Sequence, residues 1–175
     1  MAYTFLLGGA RSGKSSLAVR LASSAGAPVV MIATAEGRDE EMAERIAAHR
    51  AARPAEWETV EAPLGLREAS TGVSDGAFVI LDCLTLWVSN VLETDLSEDE
   101  ISAEASAVAE LLARRAGQGL VVSNEVGLGI VPMNELARTY RDVLGRVNAT
   151  FAEHAARALF VVAGRALPLE EVTLA

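Results

Sequence analysis

The stretch Gly8-Gly9-Ala10-Arg11-Ser12-Gly13-Lys14-Ser15 fits the pattern G-x-x-x-x-G-K-[ST]. The apolar run at residues 3–7 precedes it and reads as a buried strand. Leu17, Ala18, Leu21 and Ala22 follow it and share one face of a helix. Strand, glycine loop and helix are the context in which this pattern grips a polyphosphate. The glycines let successive backbone N–H groups turn toward the anion, and the helix N-terminus adds its positive end. Lys14 is then expected to reach the β- and γ-phosphates and the Ser15 hydroxyl to face Mg²⁺. The alternative, a glycine-rich turn that binds nothing, lacks a reason for the lysine and for this placement.

The rest of the chain repeats the alternation. Short runs rich in Val, Ile and Leu at 29–32, 78–81, 120–122 and 159–162 read as strands covered on both faces. Helical patterns fall at 14–24, 38–52, 84–92, 97–116 and 134–156. Ser97 with Glu100 forms a capping box. Residues 58–77 are less regular, with a further strand read at 57–60 and a short helix at 64–69. This pattern predicts an α/β P-loop NTPase fold, a mostly parallel sheet flanked by helices, built as a single domain over 1–175. Ligands of such sheets sit at the carboxyl ends of the strands.

The composition narrows the function. With 51% hydrophobic and 22% charged residues the chain is globular, not disordered. A net charge of −9 argues against a broad nucleic-acid surface and against anionic membranes. One cysteine, Cys83, rules out an intramolecular disulfide and suits a reducing cytoplasm. Strand and loop begin by residue 8, which leaves no room for a signal peptide, and no apolar run has the length of a membrane span.

Three further places carry candidate chemistry. Asp82 ends the run Phe78-Val79-Ile80-Leu81, where a carboxylate can hold Mg²⁺ or cap the helix that follows. His49 stands among Arg45, Arg50 and Arg53. It is either a surface histidine or a ring kept neutral by its cationic neighbours and so available to attack phosphorus. The segment Ser123-Asn124-Glu125-Val126-Gly127-Leu128-Gly129-Ile130-Val131-Pro132 leaves the fourth of the apolar runs read after the glycine loop's own strand is counted with them, at the nucleotide edge. Glu125 there is a candidate base or metal-side carboxylate, followed by Arg138, Arg141 and Asp142 at helical spacing; an ordinary connection with a solvated face fits equally well. His154, near a helix end, only complements the helix dipole. Asp82 is followed by Cys83-Leu84-Thr85 rather than D-x-x-G, and N-K-x-D is absent, so a regulatory GTPase is disfavoured. Motifs alone favour a small-molecule kinase.

Together these segments resemble the bifunctional adenosylcobinamide kinase/adenosylcobinamide-phosphate guanylyltransferase family. The resemblance runs through Gly8–Ser15, Ile32-Ala33-Thr34, Asp39-Glu40-Glu41-Met42, Arg45-Ile46, His49, Arg53-Pro54, Trp57, Glu61, Asp82-Cys83-Leu84-Thr85, Ser89-Asn90, Asn124 through Pro132, Arg141-Asp142 and Gly145-Arg146-Val147-Asn148. It departs at Ala149 and in an acidic tail at 164–171 where a basic end is expected. The resemblance implies two reactions. The aminopropanol hydroxyl of adenosylcobinamide takes the γ-phosphoryl group of GTP or ATP. The residue matching His49 then takes GMP from GTP and passes it to adenosylcobinamide phosphate. It implies nucleotide contacts at Gly8, Gly9, Ala10, Arg11, Ser12, Gly13, Lys14, Ser15, Ala33, Thr34, Ala35, Arg50, Ala51, Ala52, Arg53, Glu61 and Asp82. Catalytic roles fall to His49 and Lys14, and Mg²⁺ to Ser15 and Asp82. It also implies a homotrimer with sites near subunit boundaries. A kinase without guanylyl transfer and a nucleotide-dependent binding protein are the alternatives.

Overall fold

A computed structural model describes residues 3–170. Strand β1 (Thr4–Gly8) leads through the glycine loop into α1 (Lys14–Ser23). β2 (Val29–Ala33) precedes α2 (Glu40–Ala51), and β3 (Glu58–Glu61) precedes α3 (Leu66–Gly72). β4 (Phe78–Asp82) is followed by α4 (Leu84–Val91) and α5 (Glu98–Arg114). β5 (Gly119–Asn124) leads to α6 (Glu135–His154), and the hairpin β6 (Arg157–Val162) and β7 (Arg165–Leu169) ends the described chain. The helices other than α3 agree with the sequence expectation to within two residues at each end, and the Ser97–Glu100 capping box is present. The expected strand at 57–60 forms one residue further on as β3, and the expected helix at 64–69 starts two residues and ends three residues further on as α3.

One seven-stranded sheet runs in the order β3-β2-β4-β5-β1-β6-β7. Every pairing is parallel except β6 with β7. The sequence expectation had no β7. Arg165-Ala166-Leu167-Pro168-Leu169 contains a proline, which belongs on a sheet edge, and β7 is that edge. Ala163 and Gly164, with φ 50° and 73°, supply the two left-handed residues that a tight hairpin turn requires.

Alternate residues of the strands feed two cores. Phe5, Ile32, Val79, Leu81 and Val121 pack under α3 to α6 with Trp87, Ile101, Leu144 and Phe151. Leu6, Met31, Ile80, Leu120 and Val122 pack under α1 with Ala18 and Ala22. Burial on both faces explains why the strands are continuous apolar runs and not alternating ones. Helix α2 is the exception, because none of its residues is buried.

The strand ends line up along one edge. Ala33 pairs with Glu61 on one side and with Asp82 on the other, and Gly8 pairs with Asn124. The sheet therefore delivers the glycine loop, Asp82, Glu61 and the β5 exit to one rim.

Candidate functional site

The glycine loop is fixed by close approach and by unusual backbone angles. A side chain at Gly8 would bring its Cβ to 2.2 Å from the Val161 carbonyl oxygen, so only glycine lets β1 lie this near β6 there. Gly13 has φ 102°, a left-handed conformation that a side chain would strain. Gly164 of the hairpin turn donates its N–H to the Ser12 carbonyl at 2.8 Å, so β6 and β7 brace the loop from outside. No side chain caps α1 and no acidic residue occupies its first turn, whereas α2, α5 and α6 are capped by Asp39, Ser97 and Asn134. The helix that begins at the loop thus leaves its N–H groups for an anion.

Lys14 is buried and its ammonium is held inside the loop. Nζ donates to the carbonyls of Gly8 at 2.8 Å and Gly9 at 2.7 Å, with the Ser12 Oγ at 3.4 Å. Burial pulls its pKa below the ordinary lysine value, opposed by the nearby Cys83 and Asp82. A phosphate arriving here meets a poorly hydrated cation that carbonyls already orient.

Asp82 lies at the end of β4 with a largely buried carboxylate. Loss of water raises its pKa, while His49, Lys14 and Arg53 pull the other way. Thr34 holds the backbone just after it. The Thr34 Oγ1 donates to the Cys83 carbonyl at 2.7 Å and accepts the Cys83 N–H at 2.9 Å, and the threonine is fully buried. Asn90 continues this network, donating from Nδ2 to the carbonyls of Thr34 at 2.9 Å and Pro63 at 3.1 Å. Asp82 and Ser15 fit a hard divalent cation, because both offer oxygen ligands. The Ser15 hydroxyl makes no hydrogen bond to another described residue, and a buried carboxylate of raised pKa gains from a cationic neighbour.

His49 reaches the same place from α2. Its Nδ1 lies 3.9 Å from the Asp82 Oδ2. The arginines beside it divide. Arg50 pairs with Glu61 at 2.8 Å. Arg53 turns inward to the Met31 sulfur and to the Thr59 Oγ1, the latter at 3.0 Å; burial and Arg50 lower its pKa. Ala51 and Ala52 close the helix between them and are exposed, while Ala33 and Ala35 flank Thr34 at the end of β2. Ala10 and Arg11 form the outer, exposed turn of the glycine loop. At the start of α2, Arg38 bonds Glu36 at 2.5 Å and also Glu93 beyond α4. Strand register and ion pairs thus bring Gly8, Ala33, His49, Arg50, Glu61 and Asp82 to one rim.

The β5 exit is held as firmly. The Ser123 Oγ donates to Asn148 Oδ1 at 2.6 Å, Asn148 Nδ2 donates to the Asn124 carbonyl at 3.0 Å, and the Asn124 N–H donates to Thr85 Oγ1 at 2.9 Å. The loop beyond exposes Ile130 (97%) and Met133 (98%) almost completely. Arg138 ties it back through the carbonyls of Pro132 at 3.1 Å and Met133 at 2.6 Å, so its part in the structure is to shape the loop. Arg141 pairs with its neighbour Asp142 at 3.1 Å, and His154 Nδ1 rests 2.9 Å from the Thr150 carbonyl in the last turn of α6. The sequence reading assigned no individual role to Thr34 as a clamp, nor to Thr85, Asn90 or Asn148. A polar residue's burial is not written in local periodicity, and only the matching of segments drew attention to them.

A glycine loop, a buried lysine and an acidic strand end on a parallel sheet define a P-loop NTPase. A KaiC-like protein from Pyrococcus horikoshii OT3 shares this fold at TM-score 0.54 and 13% identity, over 91% of this chain and 70% of that one. The chain belongs to the cobinamide kinase/cobinamide phosphate guanyltransferase family, whose model matches residues 4–169. It is 46% identical to the bifunctional adenosylcobalamin biosynthesis protein CobP of Pseudomonas aeruginosa over 166 residues, 94% of this chain and 95% of that one. Identity to the bifunctional adenosylcobalamin biosynthesis protein CobU of Escherichia coli is 38% over 170 residues, 90% of this chain and 93% of that one.

Proposed function

We propose that one phosphate cradle serves both transfers of this family in this chain, with His49 carrying GMP between them. As a family member the chain is an enzyme that phosphorylates cobinamide and transfers a guanylyl group to the phosphorylated product. The observation that carries the histidine role is the 3.9 Å approach of Nδ1 to the Asp82 carboxylate, on the rim that bears the glycine loop. In the first transfer the backbone N–H groups of residues 8–15 and Lys14 hold the triphosphate. In the second, a neutral His49 nitrogen forms a bond to the α-phosphorus of GTP and pyrophosphate leaves. The acceptor phosphate oxygen then displaces the imidazole from phosphorus and takes the GMP. Arg50 and Arg53 offset charge that grows on the transferring group. Ser15 and Asp82 would hold Mg²⁺, which neutralises phosphate charge when bound.

The remaining contacts expected at Ala33, Thr34, Ala35, Ala51, Ala52 and Glu61 belong to the same nucleotide site in this reading. The whole chain acts as one domain, in the cytoplasm and as a homotrimer, on adenosylcobinamide and its phosphate with GTP or ATP. Among the described residues no helix is long and apolar enough to cross a membrane.

Incubation with α-labelled GTP tests the proposal. Wild type is expected to acquire an acid-labile label that His49→Ala does not, while His49→Ala still phosphorylates adenosylcobinamide. Lys14→Ala is expected to lose both activities. Label retained in His49→Ala removes the histidine role; full retention of either activity in Lys14→Ala removes the shared cradle.

A further inference from the structure

Glu125 is the first residue beyond β5, and β5 lies between β1, which bears the glycine loop, and β4, which bears Asp82. Its backbone N–H donates to the Gly8 carbonyl at 3.1 Å. The Lys14 ammonium donates to that same carbonyl at 2.8 Å. The Glu125 backbone and the ammonium that meets the terminal phosphates therefore share a single oxygen atom. Three largely buried side chains, Ser123, Asn148 and Thr85, fix the two residues before Glu125. So many bonds on a strand end determine where the next side chain emerges, which is what a reacting group requires and a plain connection does not.

The other carboxylates of this rim are engaged. Glu36 and Glu93 bind Arg38, Glu61 binds Arg50, Asp39 caps α2, and Asp82 faces His49. Among the described residues the Glu125 carboxylate bonds only the Gly127 N–H of its own loop, through Oε1. Its second oxygen accepts from no described residue. Phosphoryl transfer to an alcohol needs a group that orients the hydroxyl and takes its proton.

We propose that Glu125 is the base of the kinase reaction and takes no part in loading GMP onto the enzyme; this rests on the shared-cradle reading above. The acceptor hydroxyl oxygen bonds to the γ-phosphorus of the nucleoside triphosphate. The bond from γ-phosphorus to the β–γ bridging oxygen breaks, and its electron pair stays on the nucleoside diphosphate. The hydroxyl proton passes to the free oxygen of Glu125. Loading of GMP needs no such base, because a neutral imidazole attacks without losing a proton from the attacking nitrogen.

The test measures both transfers on Glu125→Gln and Glu125→Asp. The glutamine keeps an oxygen for the Gly127 N–H and removes the basic site. The kcat of adenosylcobinamide phosphorylation is expected to fall about 10²–10³-fold in Glu125→Gln. KM for the nucleotide and labelling by α-labelled GTP are expected to stay within twofold of wild type, and Glu125→Asp to recover part of the rate. A phosphorylation rate within fivefold of wild type in Glu125→Gln overturns the proposal. So does a matching loss of GMP labelling, which would place Glu125 in the cradle. An unlabelled wild type would instead strike the His49–GMP reading, and full retention of either activity in Lys14→Ala the shared cradle, leaving the kinase comparison to decide the role of Glu125.

Discussion

Replacing Thr34 with valine keeps the side-chain shape and deletes the hydroxyl that both donates to and accepts from Cys83. The two bonds, 2.7 and 2.9 Å long, lie on a fully buried residue, so water does not replace them. The Cys83 carbonyl keeps the Trp87 N–H at 3.2 Å, but the Cys83 N–H is stranded, and leaving one buried backbone group without a partner costs about 2 kcal/mol. In a domain of this size that lowers Tm by roughly 4–8 °C. Thr34→Ser keeps the hydroxyl and loses one methyl, a change of about 1 kcal/mol. The assay is thermal unfolding of the two variants beside wild type, with both transfers measured well below the transition. Because Asp82 adjoins Cys83, the valine variant should also need more Mg²⁺ for half-maximal rate, and both kcat values should drop about tenfold or more from a misplaced carboxylate. A valine variant as stable as the serine variant, with an unchanged Mg²⁺ requirement, would show that the hydroxyl clamp is not what fixes Asp82.

Two further outcomes follow from the same strand end. Burial raises the Asp82 pKa, so the folded state holds that proton more tightly than the unfolded state does. Stability is therefore highest below the unfolded pKa, falls as pH rises through the folded pKa, and is constant beyond it. Asp82→Asn should consequently raise the Tm of the nucleotide-free protein at pH 7.5, lose that advantage below about pH 4, and abolish metal-dependent turnover; a lower Tm at pH 7.5 refutes this reading. Burial and the adjacent Asp82 push the Cys83 thiol up to about 11. At pH 8 it should carry roughly a hundredfold less thiolate than a free cysteine, and alkylation followed by mass spectrometry should be correspondingly slow; labelling at the rate of a free thiol would contradict the burial described.

The glycine loop and its flanking strand and helix were legible because their physics is local. Gly8 and Gly13 are required by a close approach and a positive φ, and a phosphate cradle fixes their spacing. Asp82 was legible because an acid closing an apolar run stands out. The position of β5 between β1 and β4 was not, since parallel pairing joins residues far apart in sequence and leaves no periodic trace. The edge strand β7 went unseen because Arg165 to Leu169 neither alternates nor runs apolar without interruption. His49 is the intermediate case. Its arginine neighbours allowed two readings, and the family match, not the spacing, chose between them. The supporting set of Thr34, Thr85, Asn90 and Asn148 depends on contacts between distant elements, which no single window contains.

Helix α2 is fastened at its two ends, and between them Met42 and Ile46 are only half-buried. Arg38 pins its approach, Arg50 and Arg53 pin its exit, and no residue along it enters either core. Melting this segment would cost the sheet almost no apolar contact, so it can open as a local unit while the glycine loop stays formed. Under the proposed role of His49 the two chemistries differ in their dependence on the fold: one is anchored in the interior, the other is carried on a detachable arm. Substitutions along the exposed turns of that arm can then tune nucleotide transfer almost without touching the integrity of the protein.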